Sequence, residues 1–155
     1  MKKTVGIILS TVLCLSLIFT GCSVDKKDEK PPVAKTEEKS YQYYTAEKVK
    51  DIVDNNKPAI LLDIQEKKEY DKHHIKGAIP TYAYPAKTSQ DTGKLDTVLD
   101  KLNASKDPIV VICPGGAGGA TRSIDYLTSK GVDAKKLYIL EKGQKGWKYD
   151  NLLEK

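Results

Sequence analysis

A thiol, four glycines and an arginine fall within one stretch, Ile109–Ser123, which reads Ile-Val-Val-Ile-Cys-Pro-Gly-Gly-Ala-Gly-Gly-Ala-Thr-Arg-Ser. Ionised cysteine is a nucleophile, and backbone N–H groups turned inward by a glycine-rich loop hold anions. Gly115, Gly116, Gly118 and Gly119 predict such a loop directly after Cys113. A helix from about Ala120 to Lys130 adds unpaired N–H groups and the positive end of a dipole. The chemistry of this set is attack by the Cys113 thiolate on an anionic substrate. Every basic residue in the chain except Arg122 is lysine. Arginine is the side chain for two-pronged oxyanion recognition. Arg122 is therefore a candidate anion ligand; the alternative is a leftover surface charge.

The elements that position this stretch follow from hydrophobic pattern. Ile109–Ile112 is continuously apolar, which predicts a strand buried on both faces and so parallel pairing. Ala59–Ile64 is a second such run, Lys136–Leu140 a third, and Ala78-Ile79-Pro80 a strand stub ending in proline. Thr45 is a candidate N-cap for a helix through Asn55, with Val49, Ile52 and Val53 at helical spacing. Glu66–Tyr70 predicts a helical turn, residues 81–94 a loop, and Leu95, Val98, Leu99 and Leu102 a helix. Gly131 is placed to stop the helix after Cys113. Strands alternating with helices predict an α/β fold with a mainly parallel sheet. In such sheets the site lies at the carboxyl ends of the strands, where Cys113 falls.

The first forty residues are of another kind. Lys2 and Lys3 precede an apolar run from Val5 to Phe19, closed by Thr20-Gly21-Cys22. The run is short for a membrane span and predicts a signal peptide over 1–21. Leu17–Cys22 resembles a bacterial lipobox, which implies cleavage before Cys22 and lipid on its sulfur; the alternatives are an uncleaved anchor or a secreted protein. Residues 22–40 are charged, carry Pro31-Pro32 and lack large apolar groups, so they read as a disordered tether. It would hold the domain about 20–25 Å from its anchor. Cys14 lies in the segment expected to be removed, which leaves Cys113 as the one free thiol of a chain expected outside the cytoplasm, anchored to the cell membrane. The net charge of +5 has its signs interspersed, with no basic and aromatic stripe, which argues against nucleic acid.

Residues Tyr41 to Lys155 resemble the rhodanese-like sulfurtransferase family. The likeness rests on Asp63-Ile64, Glu69-Tyr70, His74-Ile75-Lys76-Gly77-Ala78-Ile79-Pro80, the strand Ile109–Cys113, and Leu137–Leu140 with Gly143 and Trp147, in order and at the family's spacing. It implies a rhodanese-like domain over 41–155, with a mainly parallel five-stranded sheet between helices. The implied activity is sulfane sulfur transfer through a Cys113 persulfide. The donor would be a small sulfur-containing anion such as thiosulfate, or a persulfide; the acceptor would be a thiol or cyanide-like group. Cys113 is then catalytic, and Gly115, Gly116, Gly118, Gly119 and Arg122 bind the anion. Asp63 and His74 organise the cleft as scaffold. His73 is expected to face solvent, and Trp147 to sit in the core or the cleft wall. Two departures stand out. The family's loop between cysteine and arginine has four or five residues, whereas Pro114–Thr121 has eight, which leaves open a wider pocket, a more mobile loop, or an Arg122 that belongs to the helix rather than to the cradle; and Gln65 stands where the family's Asp-x-Arg has arginine.

Two further functions compete with sulfur transfer: a phosphatase- or arsenate-reductase-like oxyanion enzyme, and a non-catalytic binding module on the same fold. A phosphate-binding loop for nucleotides is excluded, since no Lys-Ser or Lys-Thr pair follows the glycines. Two adjacent histidines and one remote thiol make a poor zinc site, and no organic cofactor is expected.

Overall fold

The computed structural model describes residues 39–155. The expected signal peptide, Cys22 and nearly all of the expected tether lie outside the described residues.

Five strands form one parallel sheet: β1 (Gln42–Tyr44), β2 (Ile60–Asp63), β4 (Ile79–Pro80), β5 (Ile109–Ile112) and β6 (Leu137–Leu140), in the order β1-β6-β5-β2-β4. β5 is central, with Ile112 opposite Asp63 on one side and Val111 opposite Ile139 on the other. Every residue of β2 and β5 is buried, as their unbroken apolar runs require. Alternate side chains go to opposite faces. Leu61, Val110, Ile112 and Leu140 pack with Ala46 and Val49 of α1 (Ala46–Asp54). Leu62, Ile109, Val111 and Ile139 pack with Leu102 of α4 (Leu99–Ala104) and with Ile124 and Leu127 of α5 (Gly118–Ser129). Cys113 belongs to the α5 face.

The Thr45 hydroxyl caps α1 by accepting from the Lys48 amide at 3.2 Å. Gly131 sits just beyond α5 with φ +92°, the left-handed stop expected there. Three differences from the sequence reading have local causes. The expected loop 81–94 contains α3 (Ser89–Gly93), started by a capping box between Thr88 and Asp91. The helix expected from Leu95 begins as a 3₁₀ turn, Lys94–Val98, before α4. β1 has no apolar run to announce it, because an edge strand with Tyr43 half exposed does not need one. A second, antiparallel pair joins β3 (His74–Ile75) to β7 (Leu153–Glu154) at the end of the chain, and α2 (Lys67–Lys72) lies just before β3.

Candidate active site

Cys113 follows the last residue of β5, at the carboxyl end of the sheet. Its Sγ accepts a hydrogen bond from the Gly116 amide at 3.1 Å. The loop that makes this bond turns through Gly116 at φ +65°. It is held from below by the turn after β6. The Gln144 amide donates to the Cys113 carbonyl at 2.9 Å, and the Lys145 amide to the Pro114 carbonyl at 3.1 Å. Gly143 makes this docking possible: it adopts φ +56°, and a Cβ there would lie 2.1 Å from the Cys113 carbonyl oxygen and 2.4 Å from the Gly116 nitrogen. At Gly116 a Cβ would lie 2.5 Å from the Lys142 nitrogen. Two glycines thus let two backbone turns meet behind the thiol.

The other three glycines after Cys113 are placed differently. α5 begins at Gly118, earlier than expected, so Gly118 and Gly119 are its first residues rather than loop. The amides of Ala120 and Thr121 close on the Ala117 carbonyl, so those of Gly118 and Gly119 precede the first intrahelical bond. Gly119 also admits a neighbour, since a Cβ there would come 2.9 Å from the Tyr84 ring. Gly115 has open space where its Cβ would be.

Arg122 has another partner than the one expected. Its Nε and one terminal nitrogen donate to the Pro85 carbonyl at 3.2 and 2.8 Å. The eight-residue spacing from Cys113 places it a full turn into α5, where the fork clasps the segment after β4. Two of its three nitrogens are thus committed to Pro85, while the third lies beside Gly118, where a Cβ would come 2.8 Å from it.

A cleft of about 430 Å³ lies against this loop. Pro114, next to Cys113, lines it with Tyr84, Gln65 and Gln144; Glu66, Glu69, His73 and Lys145 line it as well. Cys113 itself is only 1% exposed and lies behind that wall. The carboxamides of Gln65 and Gln144 are buried, and neither the Gln65 Nε2 nor either polar atom of Gln144 has a protein partner. Glu69 pairs with Lys72 at 2.7 Å, which holds its carboxyl below the usual range.

Asp63 ends β2 beside Ile112 and is fully buried. Its Oδ1 accepts from the Gln65 amide at 2.8 Å, while Oδ2 has no partner. Burial pushes its carboxyl up to about 7. Its backbone carbonyl accepts from the Thr81 amide and hydroxyl, tying β2 to the residue after β4. No cation replaces the arginine of Asp-x-Arg; a backbone N–H does. His74 is buried in β3, stacks on Tyr70 with ring centres 3.8 Å apart, and its Nδ1 lies 3.1 Å from the Tyr70 carbonyl. It joins α2 to β3 and does not reach the cleft. His73 is exposed, as expected, at the cleft rim. Trp147 is core: it packs with Leu61 and Leu140, and its Nε1 donates to the Tyr149 carbonyl.

Sequence reasoning missed Gln144, Tyr84 and Glu66 as parts of the cleft. Gln144 had a signal, its place between Gly143 and Gly146 in the turn that meets the Cys113 loop. Tyr84 and Glu66 had none, since their positions depend on how the segments after β2 and β4 fold back.

The comparisons with known proteins agree with this architecture. The sequence model of the rhodanese-like domain family matches residues 45–150. Among solved structures, a rhodanese-like domain from Anabaena is 24% identical with a TM-score of 0.56, over 74% of this chain and 80% of that one. A thiosulfate sulfurtransferase from Pseudomonas aeruginosa is 25% identical with a TM-score of 0.53, over 74% of this chain but 20% of that one. An As-Sb reductase from Leishmania major is 21% identical with a TM-score of 0.53, over 74% of this chain and 85% of that one. No curated protein sequence matches the chain.

Proposed function

The chain belongs to the rhodanese-like domain family, and on that footing we propose that it is a sulfurtransferase working through a Cys113 persulfide. The observation that carries this reading is the Gly116 amide on the Cys113 Sγ at the end of the central strand. An N–H aimed at sulfur stabilises a thiolate before transfer and a persulfide after it. The thiolate attacks the outer sulfur of the donor. A sulfur–sulfur bond forms to Cys113, the donor's own bond to that sulfur breaks, and the leaving group departs with the electron pair. The acceptor then attacks the outer sulfur and the Cys113 thiolate returns. The thiosulfate sulfurtransferase likeness supports a donor of the sulfane class.

Burial of the thiol, at 1% exposure, favours a second reading: a non-catalytic binding module on the same fold. The two readings separate on Cys113→Ser. Sulfur transfer from thiosulfate or an organic persulfide to cyanide, read as thiocyanate above the uncatalysed rate, is expected to vanish in that variant with the fold retained. Equal turnover in the variant, or none in the wild-type protein, contradicts the sulfurtransferase reading.

Location belongs to the same proposal. The lipobox-like Leu17–Cys22 and the charged segment after it support a lipoprotein held outside the cytoplasm by lipid on Cys22.

A further inference from the structure

Cys113 is buried, so a reacting sulfur reaches it only where the wall between thiol and cleft gives way. Two parts of that wall are apolar, Pro114 and Tyr84. Pro114 is fixed through its own carbonyl by the turn after β6. Tyr84 both lines the cleft and packs against the core cluster that holds Cys113. Its amide donates to the Ile64 carbonyl at 2.7 Å, just past β2. Its ring lies on the first turn of α5, where a Cβ at Gly119 would come 2.9 Å from two ring carbons. The carbonyl of the next residue, Pro85, accepts both prongs of the Arg122 fork.

This segment is strained. Tyr82 and Ala86, on either side of Tyr84, lie in the left-handed region at φ +57° and +58°. Residues with a Cβ seldom adopt it, and such strain persists only where the surroundings enforce it. The Lys94 ammonium on the Tyr82 carbonyl is a single, solvent-exposed contact. The Arg122 contact is two-pronged and half-buried, so it is the firmer restraint. The chain's one arginine thus holds a backbone carbonyl beside the aromatic wall of the cleft.

Resting on the reading of Cys113 as the reacting group, we infer that Tyr84 sets the size of the sulfur carrier that reaches the thiol, and that Arg122 is a positioning residue that holds Tyr84 closed through Pro85. A slender carrier, whose reacting sulfur ends an unbranched chain, needs a small displacement of the ring. A carrier that is branched or aromatic near its sulfur needs the whole segment to shift, against the Arg122 fork. Selection is then by shape at the wall.

Alkylation of Cys113, followed by intact mass, reads access to the thiol apart from sulfur transfer. Three reagents share one chemistry: iodoacetamide is small and neutral, iodoacetate small and anionic, and 2-iodo-N-phenylacetamide neutral and bulky. Relative to their rates with glutathione, the bulky reagent should react with the wild-type protein about tenfold more slowly than iodoacetamide. Tyr84→Ala should remove most of this penalty, and Tyr84→Phe should keep it. Arg122→Gln should cut it about fivefold and speed iodoacetate as much as iodoacetamide. Arg122→Lys, which keeps the charge and loses the fork, should behave as Arg122→Gln does. With Tyr84→Ala in place, adding Arg122→Gln should change the rates by less than about twofold, because both act on one wall. No size penalty in the wild-type protein, a penalty unmoved by Tyr84→Ala, or additive effects of the two substitutions overturns the inference. A selective loss of iodoacetate reactivity in Arg122→Gln makes Arg122 an anion ligand and overturns its positioning role. Sulfur transfer is decided separately, by whether wild-type Cys113 takes up sulfur.

Discussion

Asp63 carries a carboxyl in a place where no cation meets it. One oxygen accepts the Gln65 amide, the other has no partner, and burial pushes the group up to about 7 from an ordinary 3.8. The native state therefore binds a proton more tightly than the unfolded chain. Stability from this group is full below about pH 4 and is lost as pH rises through about 7, a cost of a few kcal/mol. An asparagine side chain at this position would keep an acceptor for the Gln65 amide and bear no charge. Thermal unfolding of Asp63→Asn against wild type should therefore show near-equal stability at pH 4 and a clear advantage for the variant at pH 8. An advantage that is constant across that range contradicts the assignment. The place of Cys113 at a strand end and a loop amide on its sulfur were legible in the sequence, because an unbroken apolar run leads into the thiol and glycines follow it. The eight-residue spacing left open that Arg122 belongs to the helix, but its partner was not legible: its direction depends on where α5 begins, and two glycines give weak notice of a helix start. The missing arginine at Gln65 was visible, but not that a lone backbone N–H would stand in for it.

At the scale of elements, the site is two backbone turns pressed together. The turn after β6 supports the turn after β5 through the Gln144 and Lys145 amides. Gly143, at φ +56° and ψ −157°, occupies a region closed to residues with a Cβ. Gly143→Ala should destabilise the protein by more than about 3 kcal/mol in urea unfolding, since it adds a clash with the Cys113 carbonyl to that strain. Gly115→Ala, with open space for its Cβ, should stay within about 1 kcal/mol of wild type. Equal effects at the two positions would mean that the docked turns do not hold the loop. The strands β2, β5 and β6 were readable because burial on both faces writes an unbroken apolar run. β1, β7 and α3 were not, since an edge strand, a two-residue pair and a helix set by one capping box leave only local or ambiguous marks. The turn after β6 was readable as a turn, from Gly143 and Gly146, but not as the partner of the Cys113 loop.

Across the whole molecule, a parallel five-stranded sheet covered on both faces carries one thiol among the described residues, behind a cleft with more acid than base. The α/β class followed from alternation of strand and helix patterns, and the family from motifs in order along the chain. The proposed placement outside the cytoplasm rests on the sequence before residue 39. Cys22→Ala should release the protein from the membrane fraction and remove the mass of the lipid; a variant that stays in the membrane contradicts lipid anchoring. The central claim is that Cys113 holds and passes on a sulfur atom. Intact mass of the purified protein after incubation with thiosulfate, and separately with an organic persulfide, tests it most directly. The account predicts a gain of one sulfur mapped to Cys113 and its loss, as thiocyanate, when cyanide is added. A Cys113 thiol that can be alkylated yet gains no sulfur from either donor contradicts it.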